Sequence, residues 1–155
     1  MEINIVEYSE QYRDDMLFCY LSAKDVIGKH APEAYRIPSL KDDMLNINAH
    51  YFDKGDKFWL ALDSDDRVVG MLGIKTLNDR EVRLQRFFIK PECKRTGVGS
   101  RLLAHLENYA REQGADKIYT RFAVWYEEAE GFYKAKGFVY KGADMHVVTM
   151  VKDLE

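Results

Sequence analysis

The run EVRLQRFFIKPECKRTGVGSRLLAHLENYAREQGADKIYTRFAV, residues 81 to 124, limits the fold more than any other stretch. EVRLQRFFIK, 81 to 90, reads as a strand, and KIYTRFAV, 117 to 124, as a buried one. Between them the spacing predicts a helix over 97–113, with Val98, Leu102, Leu106 and Tyr109 on one stripe and Gly114 closing it. A strand that returns to its sheet through a helix does so by a right-handed crossover, so the two strands lie parallel. The first strand also changes parity. Val82 and Leu84 are apolar at even positions, Phe87 and Ile89 at odd ones. A regular strand cannot change faces midway, so one extra residue, a bulge, is expected near 85–86.

The flanking sequence supplies the rest of a sheet. FWLALD, 58 to 63, and RVVGMLGIKTL, 67 to 77, form an antiparallel hairpin around Ser64-Asp65-Asp66, and a turn at Asn78-Asp79 continues the meander. Ile3 and Ile5 mark a short first strand; FVYKG and MHVVTMVKDL give the last two. Ser9 is read as the N-cap of a helix to about Ile27, and Ser39 with Asp42 as a capping box opening a second helix that ends near Gly55. Residues 28–38 read as a loop, and a short helix at about 127 to 136 stops at Gly137. The order is β, α, α, β, β, β, α, β, α, β, β, an α+β domain with a mixed sheet of about seven strands and about four helices. At 155 residues without linker or repeat, the whole chain, 1–155, is expected to be a single domain.

Charge enters at the start of the long helix. Lys94, Arg95 and Arg101 surround Gly97 and Gly99 in a chain whose net charge is −3. Free N–H groups and a partial positive charge at a helix start bind phosphate, and glycine lets a ligand reach the backbone. The pattern is neither a Walker loop nor a dinucleotide fingerprint, and alone it is equally well a structural turn. The net negative charge speaks against a nucleic-acid or membrane-surface partner. No apolar run approaches a membrane span, Cys19 and Cys93 lie far apart, and the four histidines show no metal spacing. A cytoplasmic protein without a metal is the expectation.

About forty residues after the glycines comes AEGFYKAKGF, 129 to 138. Together, Lys94-Arg95-Thr96-Gly97-Val98-Gly99 and Ala129, Tyr133, Gly137 and Phe138 resemble the acyl-CoA loop and the later helix motif of the GNAT acetyltransferase superfamily. The resemblance spans roughly 58 to 152. It implies a three-layer α/β/α sandwich, mostly antiparallel, with a central parallel pair splayed at the bulge. It implies acetyl-CoA as co-substrate, its pantetheine arm along Phe87, Phe88 and Ile89. Its pyrophosphate would lie on Lys94 and the N–H groups of Arg95, Thr96, Gly97, Val98, Gly99 and Ser100. Tyr133 would be the general acid that protonates the leaving thiolate. Tyr126 stands where many members carry a cofactor-contacting asparagine and is placed with the cofactor residues.

Two places where members often carry a basic glutamate are Arg83 and Arg121 here. Glu81, on the face of Arg83, is the first candidate base, ahead of Glu127 and Glu128; each is equally readable as a solvated surface carboxylate. Arg83 and Arg121 are candidates to clamp an anionic group on the acceptor, or they pair with charges on the sheet surface. Tyr35, with Arg36, is placed beside the acceptor by position in the loop. His105 and His146 receive no role, and nothing in the sequence activates Cys93 as a nucleophile.

The implied function is direct acetyl transfer to a primary amine of a small-molecule or amino-acid-like acceptor, one that carries an anionic group if the arginines clamp it. Backbone N–H groups of the bulged strand would polarise the thioester carbonyl. The alternatives are a non-catalytic acyl-CoA sensor or partner module and an acetyltransferase acting on a protein amine; a homodimer is compatible with either.

Overall fold

The computed structural model describes residues 1–32 and 41–155. Seven strands form one sheet in the order β1-β2-β3-β4-β5-β7-β6. They are β1 Asn4–Glu7, β2 Lys57–Leu62, β3 Val68–Thr76, β4 Glu81–Ile89, β5 Lys117–Ala123, β6 Val139–Asp144 and β7 Val147–Asp153. Only the β4–β5 pairing is parallel. The crossover is made by helix α4, Val98–Glu112, and helix α5, Glu127–Ala135, follows β5.

The two faces of the sheet carry separate cores. Trp59, Ala61, Leu72, Ile74, Val82, Leu84 and Ile118 pack against α4 and α5. Their strand neighbours Phe58, Leu60, Leu62 and Met71 pack, on the opposite face, against helix α1, Arg13–Gly28, and the two short helices α2, Asp42–Leu45, and α3, Ile47–His50. The alternation along β2 thus feeds two helical layers, which makes the sandwich three-layered.

Two sequence expectations change in detail. A 3-10 turn, Glu10–Tyr12, precedes α1, and Ser9 makes no side-chain cap. The second helix is not one helix: Asn46 leaves helical geometry between α2 and α3, and its side chain accepts the N–H of Ala49 to start α3 afresh. Gly55 ends the segment in the left-handed region, as expected. The expected cap at Ser39 lies outside the described residues.

The expected bulge is at Arg86. Gly73 pairs with Gln85 and Met71 with Phe88, so Arg86 and Phe87 stand opposite Leu72 alone. Arg86 has φ +56°, a costly angle for a side chain of its size. The bulge restores Phe87 and Ile89 to the core shared with Val82 and Leu84, while Phe88 turns towards the α1 core. It also opens the sheet. β4 and β5 pair only at Glu81–Lys117, Val82–Ile118 and Arg83–Tyr119, whereas β5 stays paired with β7 along its full length.

Candidate active site

Two cavities lie in and beside this opening, and Phe87, Tyr126 and Tyr133 line both. The larger, of about 550 Å³, runs from Phe87 and Ile89 past Gly97, Gly99 and Ser100 to Phe132 and Tyr133 on α5. The smaller, of about 290 Å³, lies between α1, the bulge of β4 and the end of β5.

The larger cavity is anion-ready at its outer end. Pro91–Cys93 makes one 3-10 turn after β4, then Arg95 (φ +65°) and Gly97 (φ +90°) place two left-handed residues just before α4. Alternating hands of this kind curl successive N–H groups into a concave nest. The N–H groups of residues 95 to 100 donate to no other described residue. Gly97, at the N-cap of α4, needs its left-handed angle; no side-chain cap competes there for the helix start. A Cβ on Gly99 would sit 3.6 Å from Phe87 and 3.7 Å from Ile89 and Phe132. A methyl group therefore fits, and the glycine matters for the room it leaves in the cavity rather than for the fold.

Lys94, Arg95 and Lys136 bring positive charge to the lining. Lys94 Nζ meets Glu128 Oε2 at 3.2 Å and lies 5.4 Å from the centre of the Tyr126 ring. Thr96 and Val98 line neither cavity through their side chains: the Thr96 hydroxyl donates to the Cys93 carbonyl, and Val98 is in the core. Phe88 lines the smaller cavity only.

Tyr133 sits where the cavities meet. Its ring stacks on Phe122 (5.7 Å, 20°) and meets Phe138 edge-on at 5.2 Å. Burial pushes its hydroxyl well above the ordinary tyrosine range, so it stays protonated. The neighbouring Thr120 hydroxyl acts in the opposite sense, but its geometry falls short of a hydrogen bond, and Thr120 Oγ1 has no partner among the described residues.

Behind the bulge is a polar network that the sequence did not disclose. Arg86 donates two hydrogen bonds to Asp43, each 2.8 Å, and so ties the strained residue to α2. Tyr51 donates to Asp43 at 2.9 Å, and Gln85 donates to the Tyr51 hydroxyl at 2.8 Å. Burial pushes the Asp43 carboxyl up, but the Arg86 bonds and charge and the Tyr51 hydroxyl outweigh it, leaving it below the ordinary range. The one available signal was the parity break, which marks residue 86 as unusual without naming its partner.

The substrate-side candidates separate. Arg121 lines the smaller cavity. Arg83 does not; its guanidinium donates to Gln85 Oε1 at 3.4 Å. Glu81 is not brought to the opening at all. It stands at the paired end of β4, where its carboxylate accepts from Asn78 (2.8 Å) and Tyr119 (2.9 Å). Those bonds lower its pKa, which makes a poor base. Glu81 and Arg83, two residues apart on β4, share one face, but the opening begins only beyond Arg83. Of the other two glutamates, Glu128 lines the larger cavity and is paired with Lys94, and Glu127 lines neither. Tyr35 and Arg36 lie outside the described residues. No cluster of metal-ligating side chains occurs among the described residues, and no described helix is long and apolar enough to cross a membrane.

Comparison with known proteins agrees with this geometry. The model of the Acetyltransferase (GNAT) family matches residues 12–138. Human N-acetyltransferase 8 is 32% identical over 116 residues, which cover 71% of this chain and 51% of that protein. A probable N-acetyltransferase camello from Xenopus laevis is 30% identical over 101 residues, 63% of this chain and 46% of that one. The chain therefore spans about half the length of the curated relatives it matches. Among solved structures, a GNAT-family acetyltransferase from Staphylococcus aureus Mu50 superposes with a TM-score of 0.86 at 24% identity, covering 99% of this chain and 100% of that one. PaiA N-acetyltransferase from Thermoplasma acidophilum, solved in complex with coenzyme A, superposes at 0.88 with 18% identity and 99% of both chains covered. At these identities the superpositions establish the shared fold.

Proposed function

Because the chain belongs to the acetyltransferase (GNAT) family, we propose that it transfers the acetyl group of acetyl-CoA directly to a primary amine of a small-molecule acceptor. The observation that carries this reading is that two cavities share Tyr133 in their walls, one of them lined also by the residues of the free backbone N–H groups.

Acetyl-CoA, when bound, supplies the acyl group as an activated thioester. The N–H groups of residues 95 to 100, with Lys94 and Arg95, hold the diphosphate; Phe87, Ile89 and Phe132 wall the path inward. The acceptor enters from the smaller cavity, so the protein holds both reactants at once and much of the rate comes from positioning. A C–N bond forms as the C–S bond breaks, the amine gives up one proton to solvent, and Tyr133 hands its own proton to the departing sulfur and regains one from solvent. Its raised pKa keeps that proton available until a basic thiolate needs it.

No carboxylate among the described residues lines the smaller cavity, and Lys24, Arg86 and Arg121 all do. An ammonium group entering that field is disfavoured relative to the free amine, so the field itself assists the deprotonation expected of a carboxylate base. The missing base also supports the second reading, a module that binds acyl-CoA without turnover. Release of free thiol from acetyl-CoA over a panel of amines separates the two: release with any amine supports transfer, and none across the panel leaves the binding module. Either reading requires that ligand at a hundred times its dissociation constant stabilise the fold by about 2.7 kcal/mol. No stabilisation by acetyl-CoA would remove both.

A further inference from the structure

The smaller cavity is lined by a cation that no described residue pairs. Lys24, on α1, is half-buried in its wall and has no carboxylate partner among the described residues; its recorded contact is with the Phe88 ring, 5.9 Å from Nζ to the ring centre. Burial lowers its pKa, and so do its charged neighbours among the described residues, the cations Arg86 and Lys41. Arg86 differs, being neutralised by Asp43 through two hydrogen bonds. Arg121, on β5, is exposed and also lines the cavity, with no ion pair among the described residues. A half-buried charge without a counter-charge is costly, and the cost is removed when a ligand brings the anion. The rest of the wall is apolar and aromatic, with Ile27, Leu84, Phe88, Phe122 and Trp125. At about 290 Å³ the space is at the lower edge of the roughly 300–1,000 Å³ usual for ligand sites.

We infer that this cavity selects an acceptor amine that also carries a carboxylate and an apolar body, and that Lys24, with Arg121, holds the carboxylate. The pair of cations is contributed by α1 and β5, not by the Arg83–Arg121 pair that the family resemblance suggests. The inference rests on the transfer reading for the word acceptor; the anion site itself does not. A peptide or protein amine has an amide where a free amino acid has its carboxylate, so the same site discriminates against it.

The test uses the N-acetylated products, whose binding does not require catalysis. N-acetyl-L-phenylalanine and N-acetyl-L-phenylalaninamide are titrated calorimetrically into the full chain with coenzyme A present. The acid is expected to bind about tenfold or more tightly than the amide, as for a hydrogen-bonded charge pair. Lys24→Gln should bring that ratio close to one, and Lys24→Arg should retain most of it. Equal binding of both probes, no binding of either, or an equal loss for both in Lys24→Gln overturns the inference. Retention by Lys24→Arg also separates anion binding from a proton-accepting role for the lysine, which arginine cannot perform. Thiol release with L-phenylalanine is followed in parallel. A binding preference with no release across the amine panel keeps this inference and removes the transfer reading; release without a preference does the reverse.

Discussion

The two cavities share three walls, yet one is made of backbone and the other of side chains. The larger depends on a left-handed pair, Arg95 and Gly97, followed by unpaired N–H groups at the start of α4, all within six consecutive residues. The smaller depends on Lys24 from α1, Arg86 from the bulge and Arg121 from β5, with Asp43 of α2 holding Arg86 in place. A site built from consecutive amides recognises one chemical group, a phosphate, whatever the neighbouring side chains are. A site built from side chains on separate elements can change its ligand with a single substitution. On the proposed reading, the cofactor side is therefore set by backbone and the acceptor side by side chains that a single substitution can change.

The comparison is tested most severely at the shared wall. Tyr133→Phe removes the hydroxyl and leaves the aromatic packing on Phe122 and Phe138. Turnover should fall by about 10²- to 10⁴-fold, the usual worth of a general acid, while the coenzyme A dissociation constant changes little. Steady-state kinetics beside calorimetry checks both numbers; unchanged turnover takes Tyr133 out of the chemistry. Next in size is Gly99→Val, which puts a branched side chain where Phe87, Ile89 and Phe132 converge. Losing two charge-assisted hydrogen bonds should weaken coenzyme A binding on the order of 100-fold. Gly99→Ala, which the spacing tolerates, should keep most of the affinity. Retained binding in the valine variant would place the diphosphate elsewhere.

The same contrast governs what the sequence could disclose. The sheet, the crossover, the parallel pair and the bulge follow from periodicity and two turn signals, all local properties of residues 58 to 124. The phosphate nest is local too, and so was visible as glycines among cations. Alternation gives the face of a strand and not how far along it the neighbouring strand departs, so it could not separate Arg83 from Arg121. Pairing ends at Arg83, so Arg121 alone of the two arginines reaches the cavity. Glu81 stays away from the opening for the same reason, two pairs further back. Lys24 lies on the first expected helix, and no sequence rule links it to residues 86 and 121 across the sheet.

A smaller effect tests whether the side-chain cavity depends on its support. Asp43→Ala leaves Arg86 at φ +56° without its carboxylate partner and leaves the Tyr51 hydroxyl without an acceptor. Stability should fall by about 2 kcal/mol, less than for a fully buried pair because the Arg86 side chain is 26% exposed. The sign of the pH dependence follows from the depressed Asp43 pKa. The contribution is complete above the unfolded carboxyl pKa of about 4 and is lost as pH falls through the lower folded value. Denaturant unfolding of wild type and variant should therefore differ at neutral pH and converge in acid. A constant difference across that range would mean that the pair is not what carries the stability.

The smallest effect belongs to the backbone cavity and asks whether a side chain tunes it. Glu128 lies 63% exposed and occupies Lys94 at 3.2 Å, so a diphosphate arriving at the nest competes with a carboxylate for the same ammonium. Glu128→Gln releases that ammonium. Since an exposed pair of this kind is worth no more than about 1 kcal/mol, coenzyme A affinity should rise only about two- to fivefold at low salt. The gain should shrink as salt screens both partners. A fall in affinity instead would mean that Glu128 holds Lys94 in its binding position. The cofactor cavity would then depend on a side-chain pair after all, as the acceptor cavity depends on Asp43 and Arg86.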